Sequence, residues 1–215
     1  MSLTGHIAQP LCIVGTGGFA REVLFIAESL GYREIVCCAK GSTGPKTSLA
    51  GWPVIYDAEL REKLDYYQII VAIGDPSVRA LAVSSLGDSA RFQTLVHPNA
   101  VVGPRVSLGE GTIVTAGCVL TCDVEVGAHV HINLRVSIGH DALIRDFCTL
   151  SPGVSVSGNV TLESGVYVGT NACLREGLTV CARSVLGMGS VLTRSIDEAA
   201  VWVGNPARFF KELGG

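Results

Sequence analysis

The sequence predicts two unlike parts: a small parallel α/β domain over residues 1–94, then a parallel β-helix over residues 95–195 with a cap over residues 196–215. Three observations carry this reading. From Val96 to Leu192 every sixth residue is Leu, Ile or Val, seventeen in succession with no slip of frame. The residue four places after each is restricted too, mostly to small or β-branched types such as Ala100, Val106, Thr112, Cys118, Val130 and Ala172. Ahead of the repeat, short apolar runs alternate with Gly-marked turns and helical stretches. A period of six is neither the 3.6 of a helix nor the 2 of a plain strand, so it marks an internal repeat.

In the first part, residues 1–10 read as a loose start and residues 11–14 as a strand ending at Gly15-Thr16-Gly17-Gly18. A helix over residues 19–30 follows, with Val23, Ile26, Ala27 and Leu30 on one face and Gly31 as its stop. Residues 35–39 read as a second strand and residues 40–50 as a loop rich in Gly, Ser and Thr. Asp57 is placed to cap a short helix running to Leu64. Residues 68–73 form a third strand, stopped by Gly74-Asp75-Pro76, residues 77–86 a helix, and residues 91–96 a strand entering the repeat. This alternation predicts a small Rossmann-like parallel sheet.

The first turn, Gly15-x-Gly17-x-x-Ala20, fits the dinucleotide fingerprint, which also wants an acidic residue about 20 positions on. That place holds Cys37, Cys38, Ala39 and Lys40, which argues against NAD. Backbone N–H groups at the start of a helix still hold a phosphate, and the diphosphate of a nucleotide-sugar suits them equally.

Within the repeat, each aliphatic and the residue two before it share a strand face, so each hexad is a short strand with two inward side chains and a turn. Gly103, Gly109, Gly127, Gly139, Gly169 and Gly187 occupy outward positions, where a positive φ is the expected reason for glycine. Strands this short bury a face only when stacked coils pair their backbones, which gives a solenoid about 27 Å tall.

The 215 residues carry a net charge of −3, 48% hydrophobic and 16% charged residues. That leaves a large core, no electrostatic footprint for nucleic acid, and no run long enough to span a membrane. The first residues lack a signal-peptide pattern, so the chain is expected in the cytoplasm. None of the eight cysteines forms a CxxC pair. Cys118 and Cys148 take inward repeat positions and Cys12 a strand, so the cysteines read as reduced packing residues.

Of five histidines, His6 lies in the loose start, His97 at the junction of the two parts, and His129, His131 and His140 on the solenoid. His131 directly precedes an inward aliphatic and so points outward. His140 falls at a corner with Asp141 beside it, an arrangement that suits a general base, because the carboxylate stabilises the imidazolium formed on proton uptake. Taken alone, a plain surface histidine is the simpler reading.

The succession of a Gly-rich turn in an α/β start, an unbroken hexapeptide repeat and Gly204-Asn205-Pro206-Ala207 resembles the hexapeptide-repeat acetyltransferases of nucleotide-linked amino sugars, grouped with sialic acid O-acetyltransferase relatives. The resemblance covers almost the whole chain. It implies a left-handed β-helix with three hexads per coil, acetyl-CoA as co-substrate, no required metal, and a homotrimer with active sites between subunits. The segment from Asn133 through Ser137 to His140 and Asp141 matches the family's active-site stretch. The resemblance thus makes His140 the base, Asp141 its orienting partner and Asn133 a contact near the sugar. Family members often hold Glu where this chain has Asp141, and some carry a second histidine where it has Thr149. By position, Thr149, Gly158, Thr170 and Met188 would line the acetyl-CoA groove. Thr16, Gly17, Gly18, Gly74 and Asp75 would hold the nucleotide-sugar. UDP-binding relatives commonly have acidic residues after the second strand, and their absence here favours GDP.

The implied reaction is acetylation of the 4-amino group of a nucleotide-linked dideoxy sugar of the perosamine, viosamine or bacillosamine type, for cell-surface polysaccharide (lipopolysaccharide) synthesis. Sugar O-acetylation is the nearest rival. A non-catalytic scaffold is a second. A zinc hydratase is a third, and would need three converging histidines, whereas His131 and His140 stand half a coil apart with no third partner.

Overall fold

The computed structural model describes residues 9–45 and 47–214. The loose start expected over residues 1–10, His6 included, lies outside the described residues up to residue 8. The first domain has a five-stranded sheet in the order β3-β4-β2-β1-β5. Its strands are β1 (Leu11–Val14), β2 (Ile35–Ala39), β3 (Ser48–Leu49), β4 (Trp52–Tyr56) and β5 (Gln68–Val71). All its pairings are parallel except that of β3 with β4. Helix α1 (Gly18–Leu30) buries Val23, Leu24, Ile26 and Ala27 against one side of this sheet. It ends at Gly31, whose φ of 86° only glycine takes readily. Helices α2 (Asp57–Glu62) and α3 (Pro76–Leu86) cover the other side. Asp75 caps α3 by accepting the Val78 N–H at 2.9 Å, and Pro76 opens it.

Three expectations for this domain need correction. The stretch read as a loop contains β3, and β4 follows it, because Val54, Ile55 and Tyr56 find a parallel partner in β2 that a local reading does not see. Asp57 is the first helical residue of α2, not its cap, and the helix ends at Glu62. The strand expected over residues 91–96 is reduced to Leu95–Val96, with Phe92 making an isolated bridge to Ile69.

The repeat forms seventeen two-residue strands, β6 (Leu95–Val96) through β22 (Val191–Leu192), each paired in parallel with the strand one coil away. They make a left-handed parallel β-helix of three sheets. The inward aliphatics form one column, with Val130, Ile132, Val136, Ile138, Val154 and Leu162 fully buried. The inward thiols of Cys118 and Cys148 donate to the Asn133 and Glu163 carbonyls at 3.1 Å. No disulfide joins the eight cysteines.

The glycines of the repeat act differently from the expectation. Gly103, Gly109, Gly127, Gly139, Gly169 and Gly187 do not have positive φ. A Cβ on each would instead collide with the layer above, the Val203 side chain for Gly187 and the next coil for the others, as at Gly139, where it would stand 2.7 Å from the Gly158 nitrogen. Positive φ falls two residues further on, at six-residue spacing from Arg105 through Asp123, His129, Arg135 and Asp141 to Gly189. The corner is thus a close approach followed by a left-handed residue.

The first domain packs on one face of the prism, hereafter the docking face, which contains Ile113, His131 and Thr149. At the far end β23 (Ala200–Gly204) extends this face by pairing with Val185 and Leu186. The C-terminal helix expected over residues 208–213 is a strand, β24 (Ala207–Glu212), antiparallel to β23. The free edge of β23 supplies backbone partners there, and Phe209 and Phe210 favour an extended chain.

Candidate functional site

His140 stands at the corner between the second face, containing Ser137–Ile138, and the third, containing Leu143–Ile144. Asp141 takes the left-handed turn conformation, φ 57°, which sets its carboxylate beside the preceding ring. His140 Nδ1 lies 2.6 Å from Asp141 Oδ2, and both side chains are more than half exposed. When Nδ1 carries the proton donated to Asp141, Nε2 is left as the acceptor. One coil on, Gly158 adjoins the ring: a Cβ there would stand 2.7 Å from His140 Cε1 and Nε2. An open cleft of about 490 Å³ flanks this corner, lined in part by Asp141, Asp123 and Arg105. The Arg105 guanidinium holds the Asp123 carboxyl below its usual range, with a smaller contribution from His140.

The structure brings His140, Asp141 and Gly158 together. Asn133, Thr170 and Met188 stand at the other edge of the second face, Asn133 buried with its Nδ2 donating to the Leu150 carbonyl at 3.0 Å. Thr170 and Met188 occupy successive coils of one corner, and Met188 is 81% exposed. Thr149 is a correction. It lies on the docking face, buried, its hydroxyl donating to the Gly74 carbonyl at 2.9 Å and accepting from Arg79 at 3.0 Å. A groove on His140's side of the prism does not include it within one protomer. His131 does point out of the prism, but into the first domain, where it is fully buried against Phe19. Burial, and then the Arg79 charge, push its imidazole well below the ordinary range, so it stays neutral.

In the first domain, a cavity of about 470 Å³ opens at the carboxyl ends of β1 and β2. Its wall is aliphatic, with Thr16, Lys40, Asp57, Arg61 and Ser85 as polar groups. Of the five residues expected to hold the nucleotide-sugar, Thr16 lines this cavity. Gly17 and Gly18 lie at the exposed start of α1 with open space before them, and Gly74 and Asp75 form the turn into α3. The cavity sits where ligands bind in open α/β sheets, beside a change of winding direction.

Asp57 was missed by sequence reasoning. Its Oδ2 accepts the Gly41 N–H at 2.9 Å and its Oδ1 lies 3.6 Å from the Cys38 thiol, so a carboxylate does stand at the end of β2. Recognising β4 would have found it, because Tyr56 pairs with Ala39 and Asp57 comes next. Among the described residues, no group of three His, Cys, Asp or Glu side chains is arranged to hold a metal ion. No helix among them is long and apolar enough to cross a membrane.

Comparison with known proteins adds the following. Residues 10–86 match the PglD N-terminal domain, and residues 160–194 the hexapeptide repeat of succinyl-transferase. The UDP-N-acetylbacillosamine N-acetyltransferase of Bacillus subtilis (strain 168) is 34% identical over 111 residues, 49% of this chain. The alignment spans 51% of that relative, about half its length. The acetyltransferase domain of PglB from Neisseria gonorrhoeae FA1090, solved with acetyl coenzyme A, is 30% identical. It superposes with a TM-score of 0.88 over 96% of this chain and 100% of that one. PerB from Caulobacter crescentus, solved with CoA and GDP-perosamine, is 27% identical with a TM-score of 0.86, over 96% of this chain and 100% of that one.

Proposed function

This chain belongs to the hexapeptide-repeat acetyltransferases of nucleotide-linked amino sugars, and from that premise we propose that it transfers the acetyl group of acetyl-CoA to the 4-amino group of a nucleotide-linked 4-amino-4,6-dideoxy sugar. The observation that carries the reading is the exposed His140–Asp141 pair beside the bare backbone of Gly158. The amine nitrogen attacks the thioester carbonyl, the C–S bond breaks, and the products are the N-acetyl sugar and CoA. His140 Nε2 takes the proton released by the attacking nitrogen and returns it to the leaving thiolate. Asp141 holds the ring and stabilises its cationic form. Thr170 and Met188 are assigned to the pantetheine groove, and Asn133 to the sugar side.

The nucleotide belongs in the cavity of the first domain, with its diphosphate at Thr16, Gly17 and Gly18 and with Gly74 and Asp75 at its edge. Asp57 supplies the acidic group whose absence favoured GDP in the sequence, so that ground falls, and we place GDP ahead of UDP and dTDP on another. Guanine presents two adjacent N–H donors that the Asp57 carboxylate accepts as a pair, whereas uracil and thymine present one. PerB, with its GDP-perosamine, supports the same order.

The first domain covers the docking face, and His140 stands on the opposite edge of the prism. A protomer's nucleotide domain therefore sits on the face opposite its own His140. This supports a homotrimer in which one protomer's nucleotide domain serves a neighbour's histidine. Reduced, mostly buried thiols suit a reducing compartment, and we assign the protein to the cytoplasm.

The test is a screen of UDP-, GDP- and dTDP-linked 4-amino sugars and their 4-hydroxy counterparts, with CoA release and product mass as readouts. Acetylation of an amino form alone is the expected result. Turnover of the hydroxy form alone would make the protein an O-acetyltransferase, and none with any of them would remove the reading.

A further inference from the structure

Arg79, in the first turn of α3, is the largest of the fully buried side chains, yet among the described residues no carboxylate pairs with it. A buried guanidinium without a counter-charge is a poor device for stability alone, because an aliphatic side chain of similar volume avoids its desolvation. Burial lowers its pKa only to about 10, so it keeps its charge. Every donor is used. Nη1 donates to the Ile73 carbonyl at 2.7 Å, the Gly74 carbonyl at 3.2 Å and His131 Nδ1 at 3.1 Å. Nη2 donates to the carbonyls of Phe147 and Cys148 at 2.7 and 3.1 Å and to Thr149 Oγ1 at 3.0 Å. Nε donates to the His129 carbonyl at 2.9 Å.

These partners fall into two groups. One is the turn after β5, where Ile73 forms part of the cavity wall. The other is two successive coils of the solenoid, where His131 and Thr149 are paired neighbours on the docking face. Thr149 adds a second link by donating to the Gly74 carbonyl at 2.9 Å. His131 Nε2 donates to the Val71 carbonyl at 3.0 Å, with Nδ1 as acceptor for Arg79. The intervening Ala72 is held from the other side, its N–H donating to the Val14 carbonyl at 2.8 Å. The backbone from Val71 to Gly74 is thus gripped at every residue.

We propose that Arg79 and Thr149 are positioning residues for the acyl transfer: through the carbonyls of Ile73 and Gly74 they clamp the wall of the sugar-nucleotide cavity to the β-helix. The inference rests on the proposed function. It makes sugar-nucleotide affinity depend on two side chains that touch no substrate, and it leaves the acetyl-CoA side untouched.

Thr149→Val removes the hydroxyl and keeps the shape, and Thr149→Ser keeps the hydroxyl. GDP-, UDP- and dTDP-linked 4-amino-4,6-dideoxy sugars are titrated calorimetrically into wild type and variants at a temperature where circular dichroism reports all of them folded. Thr149→Val loses both the neutral bond to Gly74 and the bond accepted from Arg79, which predicts a Kd about fivefold higher or more. Thr149→Ser should bind like wild type, and the KM for acetyl-CoA should not change in either variant. Arg79→Lys, which keeps the charge and loses the fork, should raise the Kd by about tenfold or more. A folded Thr149→Val that binds as wild type does, or a rise in KM shared equally by both substrates, overturns the clamp. A wild type that binds and acetylates none of these sugars removes the proposed function and the clamp together.

Discussion

Replacing His140 by Asn should lower kcat/KM by about 10²–10³, or about 3–4 kcal/mol of barrier. The geometry sets this range. A positioned base is worth about 10²–10⁴. His140 and Asp141 are 60% and 55% exposed, so solvent screens the carboxylate's help to the imidazolium. That favours the lower part of the range. For the same reason Asp141→Asn should cost only about fivefold or less. The asparagine side chain is smaller than the ring beside Gly158, so the KM of either substrate should hardly move. The loss should also shrink as pH rises, because more of the amine then arrives neutral and hydroxide can take the proton that the attacking nitrogen sheds. CoA thiol release is the assay, with product mass as a check, because the exposed Cys173 adds a stoichiometric background with thiol reagents. A variant within about threefold of wild type across the pH range would refute the base role, since general-base catalysis is worth far more.

Gly158→Ala would put a methyl group 2.7 Å from the His140 ring and force it aside; the backbone there is not left-handed, so activity should fall about tenfold with stability moved by less than about 0.5 kcal/mol. Kinetics beside a thermal melt check this, and full activity would show that the ring position is not critical. Asp57→Asn should weaken sugar-nucleotide binding by about 10- to 100-fold, as expected for a hydrogen bond to a charged group, and leave the KM for acetyl-CoA alone. Unchanged calorimetric affinity would remove Asp57 from the nucleotide site. Burial lowers the pKa of His131, His129 and His97 in the folded protein, so the unfolded chain takes up protons first as pH falls below about 6.5. Their contribution to stability is full above that value and is lost toward the depressed folded pKa values, by up to about 1.4 kcal/mol per pH unit for each histidine. Urea melts between about pH 5.5 and 7.5 measure the slope, and a flat profile would contradict it.

The β-helix was legible because its signal is periodic. An aliphatic every six residues marks stacked coils, and the three hexads per coil that the family resemblance implies put residue i beneath residue i+18, as the pairing of His131 with Thr149 illustrates. The His140–Asp141 pair was legible for a similar reason, since neighbours at a tight corner meet whatever the rest of the chain does. Helix α1 with its Gly31 stop and helix α3, expected from Ser77 and found from Pro76, were likewise written in local residue types. The glycine corners were half legible: the residue type was right, but the cause is a collision with the next coil rather than positive φ.

Tertiary structure decided what depends on pairs at irregular separations. Asp57 reaches Cys38 across 19 residues only because β4 lies beside β2, and no local pattern announces that pairing. Arg79 meets Thr149 across 70 residues, so which face of the prism is covered, and why His131 is buried rather than exposed, became visible only in the folded chain. The C-terminal strand needed the open edge of β23 as its template. A repeat specifies its own neighbours through its period, whereas the docking of one domain on another is fixed by shape and buried hydrogen bonds, which leave no period in the sequence to read.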